Sequence, residues 1–160
     1  MPLVSGDCSP KEARALLAKQ QAADLFPRAP APAAALAGLW VYFSSFDEAH
    51  EAAQNIATAE GSLWHAILHR QEPDAGNSAY WFRQAGSHPL FRSLADAAAG
   101  ISARYPEAEL EVRDRWDPLA FIDLCERARS QPGSRIEQAA LEIQRAEWQL
   151  LFDYCARPRT

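Results

Sequence analysis

Helix start and stop signals recur along the whole chain, and almost nothing in it alternates. Ser9-Pro10-Lys11-Glu12, Ser45-Phe46-Asp47-Glu48 and Ser134-Arg135-Ile136-Glu137 each place a serine three residues ahead of a glutamate. Such a box satisfies amide donors that an opening helix leaves orphaned. Ser87-His88-Pro89 and Asp117-Pro118 add capping residues beside a proline, which suits the first helical turn. Between these points the apolar residues follow a helical period: Ile136, Ala140, Ile143, Glu147, Leu150 and Leu151, flanked by Trp148 and Phe152, form mostly a core stripe in the last helix. The only loosely alternating stretch, Tyr105 to Asp117, has no partner strand elsewhere and reads as a loop. The chain therefore predicts an all-α fold, an irregular multi-helix bundle of about seven helices (seven or eight in sum), with a His-rich helical hairpin near its centre.

The helices are expected over residues 10–24, 33–43, 45–57, 63–71, 75–85, 89–104, 117–130 and 134–156. Gly86 is placed to cap the fifth of these at its C-terminus, and Glu60-Gly61-Ser62 reads as a connection. Pro27, Pro30 and Pro32 crowd one short stretch and mark a linker. This divides the chain into residues 1–32, an N-terminal helix and Pro-rich linker, and residues 33–160, a single all-α domain. Ala33 to Phe43 lacks a polar face and should be a buried helix.

Composition narrows the partners. With 16 basic against 21 acidic residues and a net charge of -5, the chain has no electrostatic footprint for duplex nucleic acid or an anionic membrane. Cys8, Cys125 and Cys155 are too far apart for a disulfide framework or a zinc knuckle, which suggests reduced thiols in a cytoplasmic protein. The first residues have neither a basic nor an apolar region of the kind a secretory signal carries. A small molecule or another protein, including a second copy of the chain, remains as the partner.

All four histidines lie between residues 50 and 88, together with a dense set of aromatic and charged side chains. His65 and His69 are four apart, which on a helix brings two imidazoles to one face about 5–6 Å apart at Cβ. Glu72 follows three residues on, and His50 sits on the preceding helix, where an antiparallel turn would carry it over His65. His50, His65 and His69 are therefore candidate ligands for a divalent metal ion, with a carboxylate or water completing the set. A second reading needs no metal: His65 or His69 acts as a general base oriented by Glu72 or Asp74, with Arg70 or Arg83 holding an anionic group. The catalytic candidates are thus His65, His69, Glu72 and Arg83. A third reading is structural, a network of His65, Arg70, Glu72, Asp74, Asn77 and Arg83 that locks the turn between two helices. Trp64, Arg70, Asp74, Asn77, Tyr80, Trp81 and His88 would line the cleft in the first two readings. Under the third, the protein is a non-enzymatic helical interaction module. There is no glycine-rich phosphate loop, dinucleotide fingerprint, G-x-S-x-G elbow, EF-hand or H-E-x-x-H pair.

The string from His65-Ala66 through His69-Arg70, Glu72, Asp74, Asn77, Tyr80-Trp81-Phe82-Arg83, Gly86 and His88-Pro89 to Phe91 resembles a mostly bacterial protein family that has no established activity. Gly38-Leu39-Trp40 and Phe46, Glu48 and His50 belong to the same pattern. The resemblance covers about Gly38 to Phe91, a third of the chain. It implies that this stretch is one unit and carries over no mechanism, substrate or cofactor.

Overall fold

The computed structural model describes residues 11–112 and 114–158. The expected capping box at Ser9–Glu12 and the thiol of Cys8 lie outside the described residues. Among those described there are nine α-helices, one short 3-10 turn and no strand: α1 Lys11–Leu17, α2 Ala22–Leu25, α3 Pro32–Tyr42, α4 Phe46–Gln54, α5 Ala59–Gln71, α6 Ala75–Ala85, α7 Leu90–Ser102, α8 Pro118–Arg129 and α9 Arg135–Ala156. The count exceeds the expected seven or so because the first expected helix divides. Its turn ends at Lys19 and Gln20, whose amides bond three residues back, and a second short helix opens after Gln21. No described helix is long and apolar enough to cross a membrane.

Helix α5 is the centre of the fold. Nine of its residues, from Gly61 to Gln71, are buried, so it has neighbours on nearly every side. It starts earlier than the sequence suggests, because Thr58 and not the Glu60–Ser62 stretch supplies the cap, its Oγ1 accepting the Gly61 amide at 3.5 Å. Gly61 is required there: a Cβ would lie 2.2 Å from the carbonyl oxygen of Ile56. This close approach lets the chain turn tightly out of α4 and so brings α4 back alongside α5.

Helix α3 packs on α5 through Gly38, where a Cβ would come within 2.6 Å of the Trp64 ring. The Gly38 carbonyl also accepts Trp148 Nε1–H at 2.8 Å, joining α3 to α9. Helix α6 folds back on α5. Asp74 caps it by accepting the Asn77 amide at 3.0 Å, and the buried Ser78 hydroxyl donates to the Ala66 carbonyl at 2.8 Å. Gly86 closes α6 with φ of 65°, a conformation glycine adopts freely. The proline-rich segment is tied down: Ala31 N–H donates to Cys155 O, and Phe26 packs edge-on against Phe152.

Candidate metal centre

Two helices, α4 and α5, bring three imidazoles to one point. His65 and His69 project from the same face of α5, their rings nearly parallel at 9° with centroids 5.0 Å apart. His50, carried by α4 across the Gly61 turn, meets both edge-on at 5.0 and 4.9 Å. One nitrogen from each ring lies within 4.8 Å of the other two. The closest pair, His50 Nδ1 and His65 Nε2, are 3.1 Å apart. Two nitrogens bound tetrahedrally to one zinc at about 2.0–2.1 Å would stand about 3.3 Å from each other.

Glu72, just past the end of α5, organises the outer side of the group. Its Oε2 accepts from His50 Nε2 at 2.9 Å and lies 3.3 Å from His69 Nδ1. With Nε2 of His50 protonated toward Glu72, Nδ1 turns a lone pair inward toward His65. Two lone pairs facing at 3.1 Å repel unless a proton or a cation lies between them. Asp74 Oδ2 stands further out, 4.0 Å from His69 Nδ1. The centre is open on the side of His50 and Glu72, whose side chains are 26% and 32% exposed.

The electrostatics favour neutral rings at His65 and His69. Burial, followed by the neighbouring His50 and His69, pushes His65 down to about 4, and Glu72 opposes this only in part. Burial and His50 also lower His69, against the pull of Glu72 and Asp74. A neutral imidazole has a lone pair to give a metal. His65 Nδ1 is buried without a hydrogen-bond partner, and its ring stacks on Trp81 at 4.0 Å and 14°.

Of the residues singled out from sequence, His50, His65, His69, Glu72, Asp74 and Trp81 come together. Others lie elsewhere. Arg70 points into the core, where its guanidinium is fully buried, pairs with both carboxylate oxygens of Glu147 and sits 4.5 Å over the Phe121 ring. Trp64 is core beneath Gly38. His88 is held by the Leu90 amide on Nδ1, by Glu60 3.5 Å from Nε2, and by the Tyr154 ring edge. Asn77 is spent on Asp74, donating from both its backbone and its side chain. Tyr80 is half exposed at the edge of Trp81, and Arg83 is exposed on α6.

Sequence reasoning places Glu147 on a core stripe and does not identify it as the partner of Arg70, since the two are 77 positions apart. It also has no signal for a hollow of about 900 Å³ over the loop after α7. Glu111, Asp114, Trp116 and Asp123 are among the residues lining it, and none of the histidines borders it. Comparison with protein-family models, curated proteins and solved structures gives no match.

Proposed function

We propose that this is a metal-binding helical protein in which His50, His65 and His69 hold one divalent transition metal ion. The convergence of three imidazole nitrogens within 4.8 Å carries the reading. His50 offers Nδ1 and His65 offers Nε2. His69, with Nδ1 against Glu72, has Nε2 to give. Glu72 hydrogen-bonds the outer nitrogen of His50, which fixes that ring and keeps its inward nitrogen basic, and stands 3.3 Å from the outer nitrogen of His69. Three imidazole nitrogens with carboxylates nearby suit zinc, iron, manganese or nickel. An ion held by three protein ligands on an open side supplies a water of lowered pKa, so hydrolysis of a small molecule is the chemistry the site fits best. The α5–α6 hairpin with His50 laid over it is the unit that does this. A cytoplasmic setting and a partner other than nucleic acid go with it, supported by the buried free thiols of Cys125 and Cys155 and by the net charge of -5.

A structural role is favoured for the rest of the polar segment. Arg70 with Glu147, and His88 with Glu60, are paired inside the fold. The test is elemental analysis of the purified protein after zinc exposure and dialysis, beside His65→Ala and His69→Ala. The expected result is about one metal ion per wild-type chain, as for a single three-histidine site, and loss of it in both variants. No retained metal in the wild type, with variants that merely melt earlier, would overturn the proposal in favour of the interaction module.

A further inference from the structure

His50 and His69 both lie against a carboxylate that His65 does not reach, and His50 is hydrogen-bonded to it. Glu72 reaches an outer nitrogen of each of them, at 2.9 and 3.3 Å. Metal-bound histidines are ordinarily oriented this way, by a hydrogen bond at the nitrogen that does not bind. The outer nitrogen of His65, Nδ1, is buried and has no hydrogen-bond partner. On the side away from the centre, then, no polar partner fixes the rotation of this ring about its Cβ–Cγ bond; its one hydrogen-bond contact is the inward one of Nε2 with His50 Nδ1 at 3.1 Å.

A stack fixes it. The Trp81 indole lies at 4.0 Å and 14° from the His65 ring, a face-on contact closer than any other ring pair described in the molecule. Trp81 is itself held in register. Helix α6 is pinned to α5 by the Ser78–Ala66 hydrogen bond one turn earlier, and the Tyr80 ring packs against the indole at 82°. We propose that Trp81 is the positioning residue for His65: its flat face does for this ring what the Glu72 hydrogen bond does for His50. The inference rests on the metal reading and assigns Trp81 a task within it. It also accounts for the aromatic run Tyr80-Trp81-Phe82, in which Phe82 is core, Tyr80 faces solvent and Trp81 covers the ligand.

The test is a Co2+ titration of the full chain, wild type beside Trp81→Phe and Trp81→Leu. Phenylalanine keeps a flat face, and leucine keeps apolar bulk without one. Trp81→Phe should bind close to wild type, whereas Trp81→Leu should bind about 10–100-fold more weakly and show altered visible absorption of the bound Co2+. The open-shell ion should also quench an indole stacked on its ligand, so wild-type emission should fall by a component that Trp81→Phe lacks. Trp81→Leu that keeps its near-UV circular dichroism and binds as tightly as wild type would overturn the inference. So would equal weakening in both variants, or an absence of that quenched component. Should Trp81→Leu fail to fold, the quenching difference decides. Failure of the two claims is distinguishable: a wild type that takes up no Co2+ removes the metal reading and this inference together, while a wild type that binds without regard to Trp81 removes only the latter.

Discussion

Arg70 follows His69 directly and faces the opposite way. Its guanidinium has no exposed surface, and it meets the Glu147 carboxylate in a two-pronged pair that joins α5 to α9. Arg129 of α8 adds a hydrogen bond to the Arg70 carbonyl, so three helices meet at this residue. Removing one partner strands a charge in the core. Arg70→Ala should cost about 3–5 kcal/mol in urea unfolding, while replacing both partners with Met and Leu should recover most of the loss. A cost below about 1 kcal/mol for Arg70→Ala would show that Glu147 reaches water or is protonated. This pair also marks where reading the sequence stops. A guanidinium one residue from a candidate ligand looks like part of a cleft. Only the helical rotation from His69 to Arg70, together with a carboxylate 77 positions away, shows that it belongs to the core. The thiols follow the same logic: burial pushes Cys125 up to about 11, which leaves it a packing residue with little thiolate.

The helices were legible because their boundaries are local chemistry. Asp74, Asp117 and Ser134 each accept a backbone amide at the start of α6, α8 and α9, as their positions in the sequence indicate. Glu137 completes the last box slightly displaced, accepting from the Gly133 amide at 2.6 Å. Ser45 departs from the pattern: it precedes α4 but makes no side-chain cap bond, its residue being buried against the turn from α3. The α4–α5 connection was less legible, since Gly61 acts through a close approach to Ile56 that no local motif encodes. The helical spacing of His65 and His69 already places two ligands, but the third depends on this turn. Gly61→Ala should therefore do two things. It should destabilise by about 1–3 kcal/mol through overpacking against backbone, and it should weaken metal binding by moving His50 off His65. Unchanged stability with intact metal binding would contradict the geometry of the turn.

Taken as one body, the protein buries α5 almost completely and leaves the histidine group where α4, α5 and α6 meet, with its open side toward His50 and Glu72. That placement makes the metal-free fold sensitive to acid. Unfolded, His65 titrates near 6.5; folded, it is held down to about 4, and His69 is also lowered. The folded chain then binds fewer protons than the unfolded one between these values. Stability is fully present above about pH 6.5, falls as the pH drops toward 4, and levels off below that as far as His65 is concerned. In chelator, urea unfolding from pH 7 to 4 should show this decline, and His65→Gln should flatten it; equal slopes in the two proteins would contradict the burial assigned to the ring. The central claim is tested most directly by anomalous scattering from crystals grown with zinc, measured on both sides of the zinc absorption edge. The account predicts one strong peak within about 2.0–2.1 Å of a nitrogen from each of His50, His65 and His69, with Glu72 on the outer nitrogen of His50. Zinc-saturated crystals in which His50 still hydrogen-bonds His65 directly, with no peak between the three rings, would contradict it.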